Sequence, residues 1–160
     1  MSVALLRTAA ASAACLLAFV TSPLFAQGLT TMQISPQGGG HCIEVPDQLF
    51  APDQHLQMAD CNNSAAQMFA YDAAGMRLTI AGLCVEAGGG QPGDLVKLST
   101  CHEGAGQVWK VEPKGDFAKL VGMNGLCLDI RFVSTERGAL VQSWTCADAA
   151  PNQLWRFQHR

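Results

Sequence analysis

Beyond its first thirty or so residues, this chain alternates apolar and polar positions over short spans. Nowhere does it hold a 3.6-residue period long enough for a substantial helix. Met76, Leu78 and Ile80 precede Cys84; Val96, Leu98 and Thr100 precede Cys101; Leu140 and the stretch from Gln142 to Thr145 precede Cys146. A period of two over a few residues marks a half-buried strand, with alternate side chains on opposite faces. Turn chemistry bounds these spans: Gly88-Gly89-Gly90-Gln91-Pro92-Gly93-Asp94, Pro113-Lys114-Gly115-Asp116 and Asn124-Gly125. The pattern predicts an all-β protein of many short strands.

The strands are organised by a repeat. Three openings fall into register: His41-Cys42-Ile43-Glu44-Val45, Leu83-Cys84-Val85-Glu86-Ala87 and Leu126-Cys127-Leu128-Asp129-Ile130. Each carries an acid two places after its cysteine. A second cysteine (Cys61, Cys101, Cys146) follows 17 to 19 residues on, and each unit closes on Gln-x-aromatic: Gln67-Met68-Phe69, Gln107-Val108-Trp109 and Gln153-Leu154-Trp155. A period near 40 residues predicts three copies of one unit of about four strands, at about 32–73, 74–115 and 116–160.

The N-terminal segment is of another kind. Arg7 supplies a positive start, Thr8 to Val20 an uncharged run, Ser22-Pro23 a helix break, and Leu24-Phe25-Ala26 a small residue before a cut at Gln27. The run is short and alanine-rich, whereas an anchor needs roughly 20 strongly apolar residues. The expectation is a signal peptide at 1–26 and one domain at 27–160, secreted or periplasmic, without membrane insertion. Lipidation at Cys15 is disfavoured, because Ser12 takes the place of an aliphatic residue and most of the apolar run follows the cysteine.

Removing the signal leaves six of the seven cysteines. An even number in an exported small domain suggests disulfides. Ten Lys and Arg against thirteen Asp and Glu give a net charge of −3, with no basic stripe. Nucleic acid is therefore not an expected partner, since its binding rests on phosphate neutralisation.

Cys-x-(Asp/Glu)-apolar, the second cysteine and the closing Gln-x-(Trp/Phe), three times over, resemble the ricin B-type β-trefoil lectins, from about Met32 to Phe157. The resemblance implies a six-stranded barrel capped by three hairpins with pseudo-threefold symmetry, and one disulfide per repeat: Cys42–Cys61, Cys84–Cys101 and Cys127–Cys146. It implies a non-catalytic carbohydrate-binding domain for galactose-type or xylan-type glycans. Any catalytic or toxin subunit working with it is expected to be a separate protein.

The resemblance also places sugar ligands at Asp129, Gln142, Trp144, Asn152 and Gln153. The residue types suit the chemistry. An ionised Asp129 accepts hydroxyl protons, two by expectation; Asn152 both donates and accepts; Trp144 offers a ring for the C–H face of a pyranose. Gln142 and Gln153 brace them. The first repeat keeps Glu44 and Gln57 but has Ala59 and Ala66 at the Trp144 and Asn152 positions. The second keeps Glu86 but has Lys97, Ser99 and Gly106. One working site and two vestigial ones are expected.

Other readings stay open at this stage. Met68, Phe69, Val108, Trp109, Leu154 and Trp155 read as core, and Gln67 and Gln107 as braces for their own turns. Trp144 could be a buried strand residue and Asp129 a turn cap. Zinc competes for the cysteines through His41 and His102, although no Cys-x-x-Cys occurs, and no metal or cofactor is expected. An enzyme is not expected, because nucleophile, zincin and phosphate-loop motifs are missing. The alternative function is a protein-interaction trefoil, a protease inhibitor or accessory toxin subunit, using Pro46–Gln54 or Phe132–Gly138.

Overall fold

The computed structural model describes residues 30–134 and 136–160; the segment read as a signal peptide lies outside them. Among the described residues are twelve strands, no α-helix and six short 3-10 turns. No helix among them is long and apolar enough to cross a membrane.

The first repeat contributes β1 (Thr31–Pro36), β2 (His41–Glu44), β3 (Gln57–Asp60) and β4 (Phe69–Asp72). The second contributes β5 (Arg77–Ile80), β6 (Leu83–Glu86), β7 (Lys97–Ser99) and β8 (Lys110–Lys114). The third contributes β9 (Phe117–Val121), β10 (Leu126–Ile130), β11 (Val141–Thr145) and β12 (Trp155–His159). The first and last strand of each repeat build the barrel through antiparallel pairs β1–β4, β4–β5, β8–β9, β9–β12 and β12–β1. The Trp109 N–H donates to the Met76 carbonyl at 2.7 Å, tying the start of β8 to the start of β5. The middle strands form the caps, β2–β3, β6–β7 and β10–β11. This is the β-trefoil the resemblance implies.

The threefold relation is written in the backbone. Leu56 N–H donates to Val96 C=O (3.1 Å), Val96 N–H to Val141 C=O (3.0 Å), and Val141 N–H to Leu56 C=O (3.0 Å). All three residues are fully buried, so a closed ring of hydrogen bonds joins the three caps where they meet. In such a place an unpaired amide would cost more than the bond itself contributes.

The core gathers one large ring from each closing motif: Phe69, Trp109 and Trp155, all fully buried. Ile34, Leu78, Leu120, Val85 and Leu128 pack around them. Each indole N–H finds a partner in its own repeat's cap, Trp109 on Val85 C=O (2.9 Å) and Trp155 on Leu128 C=O (3.1 Å). Met68 and Val108 differ from expectation and are only half-buried. Successive residues of an extended chain face opposite ways, so Met68 and Val108 look away from the rings beside them, whereas Leu154 is buried as expected.

The six cysteines pair within repeats, Cys42–Cys61, Cys84–Cys101 and Cys127–Cys146, with Cα–Cα separations of 5.0, 5.0 and 5.1 Å. The zinc alternative thereby loses its thiolates. Each bridge closes a loop of similar length and contributes on the order of 3 kcal/mol, chiefly by restricting the unfolded chain.

Candidate sugar-binding cleft in the third repeat

The site begins in the β10–β11 hairpin. In its antiparallel register Asp129 stands opposite Gln142, and Cys127 opposite Trp144. Every residue of β10 is buried, so the Asp129 side chain enters the fold with only 2 % of its surface exposed. Such a carboxylate must find donors. Gln142 Nε2 donates to Oδ1 at 2.8 Å. The 3-10 turn Pro151–Gln153, begun by proline, brings two more amides: Asn152 Nδ2 at 2.6 Å and Gln153 Nε2 at 2.9 Å, both to Oδ2.

A carboxylate offers about four accepting positions, and three are filled here. The expectation that Asp129 takes two ligand hydroxyls therefore narrows to about one, on Oδ1. Burial pushes the Asp129 pKa above the usual carboxylate range, and the hydrogen bonds from Gln142, Gln153 and Asn152 oppose that shift without cancelling it.

The amides divide by role. Gln153 is buried and fully engaged: Nε2 also donates to Thr145 C=O at 3.0 Å, and Oε1 accepts the Ala147 N–H at 2.9 Å. It braces Asp129. Asn152 donates to Asp129 and to Ile130 C=O at 3.3 Å, while its carbonyl oxygen accepts no hydrogen bond among the described residues. That oxygen is available to a ligand hydroxyl.

Trp144 is 45 % exposed, so it is not the buried strand residue of the alternative reading. Its indole rests on the second repeat: a Cβ at Gly93 would lie 3.4 Å from the ring. Asp129, Gln142, Trp144, Asn152 and Gln153 line a single cleft of about 680 Å³, together with Gly93, Arg131 and Phe132. The volume falls inside the range of roughly 300–1,000 Å³ typical of small-ligand sites. Sequence reasoning placed none of Gly93, Arg131 and Phe132 in the sugar site, and named Phe132 only within the loop of the protein-interaction alternative. Superposing the repeats marks Phe132, because it falls where the first repeat has Asp47 and the second Gly89.

The equivalent places in the other repeats share the brace and lack the rest. Gln67 donates to Glu44 Oε2 (2.8 Å) and Asp60 C=O (2.8 Å), and Gln107 to Glu86 Oε2 (2.9 Å) and Thr100 C=O (2.9 Å). Their oxygens accept the Asn62 and His102 N–H groups, both at 2.9 Å. The motif glutamine is therefore a fold device in all three copies. Ala59 and Ala66 are buried and bring neither ring nor amide to Glu44. In the second repeat His102 Nε2 sits 3.0 Å from Glu86 Oε2, and Lys97 is turned to Asp53. Burial raises the Glu86 pKa, but hydrogen bonds from Gln107, Ser99 and His102 outweigh it and leave that carboxyl below the usual range.

Comparison with known proteins agrees with this architecture. The family model described as ricin-type beta-trefoil lectin domain matches residues 30–117 and 74–160. A 41-residue stretch is 45 % identical to the Beta-galactoside-specific lectin 2 of Viscum album, covering 25 % of this chain but 7 % of that much longer protein. Among solved structures, the designed threefold-symmetric protein ThreeFoil superposes with a TM-score of 0.75 at 20 % identity, over 80 % of this chain and 97 % of that one. The C-half of the earthworm R-type lectin, solved in complex with GalNAc, gives 0.67 at 17 % identity, over 82 % and 99 %. At such identities the two structures speak for the fold. The family match spans the whole described chain, and this protein belongs to the ricin-type beta-trefoil lectin domains, a family of non-catalytic carbohydrate-binding modules.

Proposed function

We propose that this protein is exported and binds the galactose-type end of a glycan, without catalysis, through the third-repeat cleft alone. The observation that carries the reading is the gathering of Asp129, Asn152 and the half-exposed Trp144 in one cleft. Asp129 Oδ1 and the Asn152 carbonyl take hydroxyl protons from adjacent ring carbons, and the indole takes the C–H face of the same ring. Gln142 and Gln153 hold the carboxylate still. The first two repeats have no ring and no free amide at these places and serve as scaffold. The choice of galactose draws on the names of two similar proteins, the β-galactoside-specific lectin of Viscum album and the earthworm lectin solved with GalNAc.

One shallow cleft with a few hydrogen bonds and one stacked ring binds weakly, with Kd on the order of millimolar, about −4 kcal/mol. Useful retention then comes from clustered glycans or a clustered protein. The test is a glycan array probed with multivalently displayed residues 27–160, beside Trp144→Ala and Asn152→Ala. The reading requires terminal galactosides to bind wild type and both folded variants to lose the signal. Binding confined to xylan would reassign the sugar, and binding unchanged in Trp144→Ala would remove the site from this cleft. Export is tested separately: expressed with its leader, the protein should be recovered outside the cytoplasm beginning at Gln27.

A further inference from the structure

We propose that Phe132 is a second sugar-contacting aromatic residue, which makes the third-repeat cleft select a disaccharide or longer glycan over a single sugar. The inference rests on the galactose reading of that cleft and adds a second unit to it.

Three observations meet at this residue. The first is exposure: Phe132 is 84 % and Val133 63 % exposed, the largest values among the big apolar side chains of the described residues. Packing does not account for a phenyl ring left in water. The second is backbone conformation. Phe132 (φ +61°) and Val133 (φ +53°) both occupy the left-handed region, which is costly for bulky and above all for β-branched residues. The other copies fill the corresponding positions more economically. Asp47 and Gln48 take them in the first repeat at +53° and +56°, and Gly89-Gly90 serves in the second, with Gly90 at +82°. The third repeat alone places two large apolar residues on a strained turn and leaves both in solvent. Strain of this kind persists where something other than stability retains it.

The third observation is position. Phe132 lines the cleft that holds Asp129 and Trp144. Its ring lies against the Arg131 guanidinium, 4.9 Å from the ring centroid. Beyond the turn the surface stays concave. A second cavity of about 320 Å³, bordered by Gly38–Gly40 and His41, shares Val133 and Asn152 with the first. A ligand seated on Asp129 and Trp144 thus has room to continue past Asn152. The occupant that fits a flat apolar ring beside a sugar site is the next sugar unit of the same glycan, laid against Phe132 by its C–H face.

The experiment compares galactose with lactose and with galactobioses of several linkages, by calorimetric or NMR titration of residues 27–160. Wild type should bind at least one disaccharide roughly 3- to 10-fold more tightly than galactose, the gain expected of one stacked ring. Phe132→Gly should abolish that difference, and its thermal midpoint should rise because the strained position is relieved. Phe132→Tyr should restore the preference for the disaccharide. The proposal is overturned if no disaccharide binds wild type better than galactose, or if Phe132→Gly keeps the preference. Trp144→Ala separates the two levels of argument. If it binds galactose as wild type does, the cleft itself is misassigned; if it loses galactose while Phe132→Gly behaves as wild type, only the second unit is.

Discussion

Gly93 of the second repeat lies beneath Trp144 of the third. A side chain at Gly93 would meet the indole at 3.4 Å, and the Gly93 N–H is bound at 2.7 Å to the Ser143 carbonyl, next door to the tryptophan. The stacking ring is therefore positioned by a neighbouring repeat, through the same contacts that join the caps. Asp53 and Gly138 make the corresponding bonds, to Leu98 (2.8 Å) and Met58 (2.7 Å).

Gly93→Ala tests that dependence. Its φ of +96° disfavours any side chain, so the fold should lose about 1 kcal/mol or more. The new methyl also presses on the indole, and galactose affinity should fall in protein that remains folded. Thermal melts and sugar titration measure the two effects. Unchanged affinity would mean that Trp144 keeps its place without the glycine.

Asp129 gives the cleft a pH dependence of predictable sign. Burial makes the folded protein hold the Asp129 proton to higher pH than the unfolded chain does, where the ordinary value is 3.8. Its effect on stability is then most favourable at acid pH and is lost as pH rises through the folded value. Sugar binding runs the other way, because hydroxyls donate to the ionised form. Affinity should drop on acidification at a pH above the ordinary aspartate range. Arg131 is the other charged group lining the cleft. In Asp129→Asn the Gln142 amide can flip to face the new NH2, so the fold should be kept. Affinity should weaken by roughly 1.5–3 kcal/mol, the worth of a hydrogen bond to a charged group, and become independent of pH. A pH profile for this variant that still followed wild type would exclude Asp129 as the titrating group.

What could be read in advance divides along a physical line. Strand alternation and the 40-residue period are local, and they led to an all-β chain of three repeated units, whereas the pairing of the cysteines within each unit was implied by the family resemblance. The closure of those units into a barrel is non-local and came only through the resemblance carried by Gln-x-Trp. The resemblance singled out Asp129, Gln142, Trp144, Asn152 and Gln153, and the fold brings these five into one cleft. The depth of Asp129 was not legible, since it depends on all of β10 being buried. Gly93 escaped because it acts across a repeat boundary. Phe132 was read only as the start of a protein-contact loop, because its left-handed backbone is invisible in a linear pattern, although its symmetry mates Asp47 and Gly89 hinted at it.

Gly122 offers a test of the core. A Cβ there would stand 2.8 to 3.2 Å from three atoms of the Trp109 ring, which is fully buried and hydrogen-bonded. The ring has nowhere to move without breaking its bond to Val85. Gly122→Ala should cost about 1–3 kcal/mol by overpacking, read from urea unfolding at constant m-value. A neutral result would show that the β9 end yields instead.

The last prediction separates the shared brace from the site. Gln107 and Gln153 are both buried, and each makes the same three bonds: to the acid of its repeat, to a carbonyl, and from an N–H. Replacing either by alanine strands comparable polar groups and should destabilise the fold by a similar 1–3 kcal/mol. Only Gln153→Ala frees a carboxylate that contacts sugar, so only it should also reduce galactose affinity. The pair controls for stability, since both variants lose the same amount of fold. If Gln107→Ala lowered affinity equally, the second repeat would hold a working site of its own, and Glu86 and His102 would be the residues to examine there.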